Sequence, residues 1–357
     1  MKKLLQIISL LVSLIAQAQE YAFLPDSLTL LPIQELAKKE PPLDFEPVYY
    51  EDGTKAVFKQ VMPLIMKNKL IPLMFVDKGG NYKALVVKNL TKNEDIKIGY
   101  ENMPESLIRS GYSFGNPNSN KVIIYLQGGP ENFLSTYSFD IRMKLTGGLD
   151  DNNYFMINMR EAQTLHPAET VQKEISWEQA KKYNEKTVKT LYELIKYFKA
   201  QHKKVYVVGG SYGSFIGLKS MVEYKNMADG YLLMLGRLDM TQEVSNAYAK
   251  GFKAGFKADA ITPVIGEKSD NIYTVNMRKI AAAISRDEKY TQLLKDTDLS
   301  NLIYIYSEID QSVGKLTADE IAFLQSKKAK VKSVKVAHEK WATNHFKEGL
   351  EMLLGKQ

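Results

Sequence analysis

Apolar residues beyond residue 120 are grouped in short runs that are separated by amphipathic or polar segments. Runs of strand length lie at residues 122–126, 154–157, 205–208, 231–235 and 302–306, and a sixth strand is predicted at residues 331–336, where valines are separated by lysine and serine. Near-continuous apolar runs of this length are typical of strands that are buried on both faces of a sheet. Between two of them, Ser176 with Gln179 three residues later predicts the start of a helix that has apolar residues at helical spacing. The alternation predicts an α/β fold with a mainly parallel sheet and flanking helices.

The same pattern predicts how the chain is divided. We expect residues 112–238 and 301–357 to form the two parts of the α/β core. Residues 239–300 make too long a connection for a simple loop and are rich in helix formers, so they are predicted to be an inserted helical lid. Residues 19–111 are predicted to be an N-terminal extension that also supplies the first strands of the sheet.

Within this extension, local patterns predict a short helix and a β-hairpin. Residues 57–66 have the pattern of the helix. Residues 71–76 and 82–87 flank a turn that contains two glycines, at residues 77–81, which is typical of a hairpin. This hairpin is the predicted source of the first sheet strands.

Residues 1–18 have the pattern of a secretory signal peptide. Lys2 and Lys3 precede an apolar run from residue 4 to residue 15, and Ala16-Gln17-Ala18 fits the cleavage pattern. The apolar run is shorter than the roughly 20 residues that a membrane-spanning helix needs. The sequence therefore predicts a secreted or periplasmic protein without stable membrane insertion.

Composition removes several kinds of chemistry. The chain has no cysteine, which excludes disulfides, thiolate nucleophiles and iron–sulfur clusters. Its 48 Lys and Arg residues against 41 Asp and Glu give a net charge of +7, but the positive charges are dispersed, so we predict no nucleic-acid partner. No cofactor and no metal are predicted, and the partner is expected to be a small-molecule or peptide substrate. The sequence leaves the oligomeric state open.

A candidate nucleophile follows the apolar run at residues 205–208. Gly209-Gly210-Ser211-Tyr212-Gly213 matches the pattern G-x-S-x-G between a strand and a helix. Glycines two positions before and after the serine leave room for a sharp turn that exposes its hydroxyl. The turn places the amide of Tyr212 at a helix N-terminus, where it can stabilise negative charge on a substrate oxygen.

With these flanks the sequence resembles the α/β-hydrolase family. Residues 125–130, Tyr-Leu-Gln-Gly-Gly-Pro, are similar to the oxyanion loop of its proline-iminopeptidase branch, with Gln127 in place of a histidine. The resemblance implies that an amide of Gly128 or Gly129 completes the oxyanion hole. Residues 158–161 lie where the family has Asp-x-Arg-Gly, and here the arginine is present and the glycine is not.

The resemblance also assigns an acid and a base. Residues 304–310 are similar to the strand that ends on the family's catalytic acid, which makes Asp310 the predicted acid and Glu308 the alternative. The last apolar strand ends on His338, the predicted base, whereas His345 at the start of the last helix is the alternative. The chain order serine, aspartate, histidine is that of the family.

These residues imply a secreted serine hydrolase of the esterase or aminopeptidase type. It would cleave an ester or an amide bond through an acyl-enzyme on Ser211. The departures at Gln127 and after Arg160 leave one alternative, a catalytically inactive secreted binding protein with an α/β-hydrolase fold.

Overall fold

The structure, a computed structural model, describes residues 21–31, 46–66, 70–89, 96–134, 139, 143, 147–338 and 344–355. It divides into two compact units, Met1–Lys92 and Asn93–Gln357. The predicted signal peptide, residues 1–18, lies outside the described residues. Of the helices in the described ranges, none combines the length and the hydropathy that a bilayer crossing requires.

The first unit contains a five-stranded sheet and one described helix. Its elements are β1 (Thr29–Leu30), β2 (Val48–Tyr50), β3 (Lys55–Ala56), α1 (Phe58–Met66), β4 (Leu70–Val76) and β5 (Tyr82–Asn89). The sheet order is β1-β4-β5-β2-β3. The predicted helix and the predicted hairpin are both confirmed. The hairpin turn forms because the Asp77 carboxylate accepts hydrogen bonds from the N–H groups of Gly79 and Asn81, each at 2.9 Å.

The hairpin does not supply strands to the main sheet, so that prediction was wrong. One of its strands, β4, pairs with β1, and the other, β5, pairs with β2, so both edges of the hairpin are occupied within the first unit. Its apolar side chains pack in a small separate core with Val48 and Val61. The local pattern identified the hairpin correctly, but it carried no information on which sheet the hairpin joins.

The second unit carries the large sheet. The strands of this unit are β6 (Gly111–Gly115), β7 (Lys121–Leu126), β8 (Phe155–Met159), β9 (Lys204–Gly210), β10 (Gly230–Met234), β11 (Phe252–Phe256), β12 (Pro263–Lys268), β13 (Leu302–Ser307) and β14 (Lys330–Val334). Of these, β11 and β12 form a separate pair outside the large sheet. Its helices are α2 (Glu105–Ile108), α3 (Pro167–Gln172), α4 (Trp177–Ala200), α5 (Tyr212–Tyr224), α6 (Gln242–Ala249), α7 (Ile272–Ala283), α8 (Tyr290–Leu293), α9 (Ala318–Ser326) and α10 (Asn344–Leu354), and a 3-10 turn lies at Ala162–Leu165. All the predicted strands of the core are confirmed.

The large sheet has the order β14-β13-β10-β9-β7-β8-β6. Its paired neighbours are parallel except β6, which is antiparallel to β8. Both faces are buried: Val122 and Ile124 belong to one apolar cluster, whereas Ile123 and Tyr125 belong to another on the opposite face. This confirms the predicted mainly parallel sheet, with β7, β8, β9, β10 and β13 buried on both sides. The predicted burial of the last strand was wrong, because β14 lies at the sheet edge and most of its residues are accessible.

The long helix α4 covers one face of the sheet for the reason that the sequence indicates. Ser176 is its N-cap, and the serine side chain accepts a hydrogen bond from the N–H of Gln179 at 3.0 Å. Its apolar stripe is buried, with Leu191, Leu194 and Phe198 inaccessible to solvent. Each such side chain contributes roughly 1.5–3 kcal/mol to folding when fully buried. On the opposite face the sheet is covered by α10, through Phe346 and Leu350.

The insertion at residues 239–300 differs from the predicted all-helical segment. Alongside α6, α7 and α8 it contains the antiparallel pair β11 and β12. The close approach of Gly255 to the backbone of Gln311, where a Cβ would lie 2.4 Å from the carbonyl oxygen, explains a glycine in β11. Helix-forming composition over the whole segment concealed this short strand pair. That the insertion acts as a lid stays a prediction.

Candidate active site

The candidate site residues follow the carboxyl ends of parallel strands. Gly128 follows β7, Ser211 follows β9, Asp310 follows β13 and His338 follows β14. Because the carboxyl ends of parallel strands lie at one edge of a sheet, residues far apart in the chain converge there. The topology thus brings together the candidate residues that the sequence analysis predicted in separate pieces.

Ser211 occupies a strained turn between β9 and α5. Its φ of 53° and ψ of −119° are a conformation that L-residues rarely adopt, and such a residue costs about 1–3 kcal/mol. A Cβ at Gly209 would lie 2.6 Å from the carbonyl oxygen of Gly213, and one at Gly213 would lie 2.4 Å from that of Leu126. Both predicted glycines are therefore required by backbone contacts. The turn leaves the Ser211 side chain partly exposed at the edge of the sheet.

A hydrogen-bonded chain joins Ser211, His338 and Asp310. His338 Nε2 lies 2.9 Å from Ser211 Oγ, and His338 Nδ1 lies 2.7 Å from Asp310 Oδ2. Asp310 is fully buried, and its other oxygen accepts hydrogen bonds from the N–H groups of Ser312 at 2.8 Å and Val313 at 3.0 Å. These donors hold the carboxylate in one orientation. The imidazole is therefore oriented by a buried anion on one side and faces the hydroxyl on the other.

The alternative acid and base lie in other contacts. The Glu308 carboxylate is 3.6 Å from Lys335 Nζ at the surface. His345 lies on the first turn of α10, where its Nδ1 is 3.7 Å from the Glu348 carboxylate. Of the two candidate acids and the two candidate bases, the structure places Asp310 and His338 in the hydrogen-bonded chain with Ser211.

The backbone at the predicted oxyanion hole lies against Ser211. A Cβ added to Gly128 would lie 3.6 Å from the Ser211 Cβ, so a larger residue would crowd the nucleophile. Tyr212 is the first residue of α5, and the first N–H groups of a helix have no acceptor within the helix. Its side chain points away: the hydroxyl donates to Asn184, and burial raises the pKa of Tyr212 well above its ordinary value. The group of Tyr212 that is available to the candidate site is therefore its amide.

Two further histidines are exposed and lie in other surroundings. His166 Nδ1 is 3.6 Å from Glu169, and His202 follows α4 in a left-handed conformation with φ of 59°. Across the described ranges, no group of three or more His, Asp or Glu side chains has the arrangement of a metal site.

A buried polar cluster next to residues 127–133, the candidate oxyanion loop, was not recognised as such from the sequence. Glu161 follows the carboxyl end of β8, where the family pattern has glycine, and it is 1% exposed. Its Oε2 accepts a hydrogen bond from the N–H of Glu131 at 3.2 Å, and Gln163 Nε2 donates to the Glu131 carbonyl at 2.9 Å and also to Glu161. The Tyr273 hydroxyl, from α7, donates to the Glu131 carboxylate. The signal available in the sequence was the position of Glu161 directly after a buried strand.

Burial changes the titration of both carboxyl groups. Removal from water raises the pKa of Glu161 from an ordinary 4.5 to about 8. The nearby Glu131 carboxylate raises this pKa further, whereas hydrogen bonds from the Glu131 amide, Gln127 and Gln163 lower it. Burial also raises the pKa of Glu131, which the hydrogen bond from Tyr273 partly offsets. Near neutral pH the Glu161 carboxyl is therefore mostly protonated.

This titration predicts a pH-dependent stability difference between the protein and its Glu161→Gln variant. Since the folded-state pKa of Glu161 is raised, the folded protein binds more protons than the unfolded chain between about pH 4.5 and pH 8, and its stability falls as pH rises through that window. The glutamine does not titrate. We expect similar stabilities of the two proteins at pH 4.5 and a relative gain for the variant that grows to at most about 5 kcal/mol by pH 9.

Chemical denaturation at a series of pH values measures this difference. Ionisable groups that do not interact with Glu161 contribute equally to both proteins, so their contributions cancel in the comparison. Two stability curves that stay parallel from pH 4.5 to pH 9 would show that Glu161 does not titrate as its burial predicts.

Together these features define the class of fold. A mainly parallel sheet, a strained serine between a strand and a helix, and the chain order Ser211, Asp310, His338 are those of the α/β-hydrolase fold. The chain matches no protein-family model, and no curated protein is significantly similar to it in sequence.

Three solved structures have a distant similarity to this chain at low sequence identity. An α/β hydrolase enzyme from a Medee basin deep-sea metagenome library is 15% identical, with a TM-score of 0.44 over 69% of this chain and 92% of that one. A lipase-esterase related protein from Clostridium acetobutylicum is 11% identical, with a TM-score of 0.44 over 70% of this chain and 100% of that one. A bromoperoxidase from Bacillus anthracis is 15% identical, with a TM-score of 0.42 over 69% and 94%. The fold assignment rests on the strand order and the serine turn of this chain.

Proposed function

We propose that the protein is a serine hydrolase that cleaves an ester or amide bond through an acyl-enzyme on Ser211. The observation that carries the proposal is the hydrogen-bonded chain from Asp310 through His338 to Ser211 Oγ, with distances of 2.7 and 2.9 Å. A serine hydroxyl is a weak nucleophile unless a neighbouring base removes its proton, and a third group must orient that base. The three side chains fit these roles.

In the acylation step, Ser211 Oγ attacks the carbonyl carbon of the substrate while His338 Nε2 takes its proton. Asp310 stays ionised; it holds the Nδ1–H tautomer of the imidazole and stabilises the imidazolium that forms. The N–H groups of Ser312 and Val313 support this role because they donate to the other Asp310 oxygen. The imidazolium then gives its proton to the leaving alcohol or amine.

The developing oxyanion is held by the amide of Tyr212 and an amide of Gly128 or Gly129. Donors of this kind act most strongly when they are fixed before the reaction, and removal of one costs roughly 10²–10³ in kcat. In deacylation, His338 activates a water molecule, which attacks the acyl-enzyme and releases Ser211.

Two substrate classes are compatible with these residues. The similarity of residues 125–130 to the proline-iminopeptidase oxyanion loop supports an amide substrate with a free amino terminus. The same serine, histidine and aspartate fit an ester equally well. The signal-peptide pattern of residues 1–18 supports an exported enzyme, which would act on substrates outside the cytoplasm.

An active-site-directed fluorophosphonate tests the proposal. Intact-mass analysis is expected to show one adduct on the folded protein, and peptide mapping should place it on Ser211. The Ser211→Ala variant should remain unlabelled under the same conditions. Heat-denatured protein is the second control, because labelling there would report only nonspecific reactivity.

Folded protein that resists the probe would instead support the inactive binding protein. Labelling that persists in Ser211→Ala would place the reactive residue elsewhere. Once labelling is established, parallel assays on chromogenic acyl esters and aminoacyl amides decide between the esterase and aminopeptidase types.

A further inference from the structure

We propose that Glu161, together with Gln163, is a positioning residue that holds the candidate oxyanion loop, residues 127–133. The proposal deepens the serine-hydrolase function proposed above and rests on it. No role for Glu161 follows from the triad itself, since this carboxyl lies in a different hydrogen-bonded group.

The two side chains hold both polar backbone groups of one loop residue. The N–H of Glu131 donates to Glu161 Oε2 at 3.2 Å, and its carbonyl accepts from Gln163 Nε2 at 2.9 Å. Gln163 Nε2 also donates to Glu161, so the two side chains are fixed relative to each other. Two hydrogen bonds on opposite sides of one residue restrict both its position and its orientation.

A third side chain secures the loop from its own beginning. Gln127 Nε2 donates to the carbonyl of Phe133 at 3.1 Å, which joins the first and last residues of the loop. Because hydrogen bonds join the two ends of the loop and hold Glu131, they also restrict the backbone positions of Gly128 and Gly129.

This restriction matters because the loop lies directly against the nucleophile. Gly128 is close enough for an added Cβ to lie 3.6 Å from the Ser211 Cβ, and Glu131 is only three residues further on. A displacement of about 1 Å in a group that stabilises the reaction can cost roughly 10²-fold in rate. A shift of Glu131 would therefore be felt at the amides that hold the oxyanion.

Burying a carboxyl group is unfavourable unless it makes hydrogen bonds, and an apolar side chain would fill the same space without that cost. Such a replacement would leave the N–H of Glu131 without its acceptor. The hydrogen bond that Glu161 makes to the loop therefore gives this buried group a specific use. Gln163 is also fully buried, and its side chain donates to the carbonyl of the same loop residue, Glu131.

The experiment compares Glu161→Leu and Glu161→Gln with the wild-type protein in hydrolysis of p-nitrophenyl acetate. Leucine keeps the volume but accepts no hydrogen bond, whereas glutamine keeps an acceptor oxygen. We expect Glu161→Leu to lower kcat by about 10–100-fold with KM within about 2-fold, because a misplaced oxyanion donor acts on the transition state and not on substrate binding. Glu161→Gln should retain kcat within about 3-fold.

Thr187→Val is the matched control. Thr187 Oγ1 accepts from the N–H of Ala162, the residue after Glu161, at 2.9 Å, so this variant also removes a buried backbone acceptor in the same segment. It leaves the contacts of Glu131 intact. A similar loss of kcat in Thr187→Val and Glu161→Leu would overturn the proposal, because general loosening of the segment would then explain both.

Hydrogen exchange gives a readout that does not depend on turnover. Amides of residues 127–134 should exchange at least about 10-fold faster in Glu161→Leu than in wild type, with little change in α4. Unchanged exchange or unchanged kcat in Glu161→Leu would refute the positioning role while Ser211-dependent turnover persists in all variants. Absence of Ser211-dependent turnover in the wild type would instead refute the hydrolase function, and with it the catalytic part of this proposal.

Discussion

Substitution of Ser211 by alanine is expected to lower kcat by about 10⁶-fold while the protein remains folded. The loss is large because the proposed covalent intermediate forms on the hydroxyl oxygen. Without that hydroxyl, His338 has no serine proton to remove, and its orientation by Asp310 does not assist acylation. Removal of any member of such a triad leaves only the catalysis supplied by the oxyanion hole and by substrate binding. Initial rates on a chromogenic ester, with thermal melting to verify folding, measure both parts of this expectation.

The matched control for this variant is Ser211→Gly, which also lacks the hydroxyl. Alanine keeps the strain of φ 53°, whereas glycine adopts that conformation without steric cost. Relief of this backbone strain is worth about 1–3 kcal/mol, which exceeds the cost of the extra backbone entropy that glycine has in the unfolded chain. The free energy of unfolding of Ser211→Gly should therefore be about 1 kcal/mol higher than that of Ser211→Ala. Both variants should be equally inactive. Activity above about 1% of wild type in either one would be incompatible with Ser211 as nucleophile.

Substitution of His338 by alanine is expected to lower kcat by about 10⁴–10⁶-fold, whereas His345→Ala should retain kcat within about 3-fold. The difference follows from their contacts. His338 lies 2.9 Å from Ser211 Oγ, and His345 lies beside Glu348 on α10. Rates on the same ester at several pH values measure the effect, and the fluorophosphonate should label His338→Ala far more slowly than wild type.

Comparable losses in the two histidine variants would contradict this assignment, provided that both melt like the wild type. Full activity in His338→Ala would require another base for Ser211. Partial restoration of His338→Ala by added imidazole would support the assigned role, since the free base can occupy the space that the side chain vacates.

The site depends on a strained residue that the surrounding backbone holds in place. Gly209 and Gly213 leave no room for side chains, and the N–H of Ser211 donates to the carbonyl of Met234 at 2.8 Å. These contacts come from β7, β10 and α5, so the conformation of Ser211 is determined by several elements at once. The same contacts hold the Ser211 side chain at the carboxyl end of β9.

Local patterns in the sequence were sufficient for the elements of the core. Apolar runs of strand length, the Ser176 cap of α4 and the glycines around Ser211 each act over a few residues, and the structure has the predicted strand, helix or turn at each. The hairpin at β4 and β5 was predicted for the same reason. Where the signal was averaged over a long segment, as in residues 239–300, it concealed the pair β11 and β12.

By itself, the sequence determined the mainly parallel sheet, the turn that carries Ser211 and a short set of candidate acids and bases. Only the tertiary structure decided that His338 and not His345 lies beside Ser211, that Asp310 and not Glu308 contacts the imidazole, and that the hairpin joins a separate sheet. It also revealed the contact between Glu161 and the oxyanion loop. The physical reason is separation along the chain: His338 and Ser211 are 127 residues apart, and such contacts depend on strand order and loop paths that no local pattern encodes.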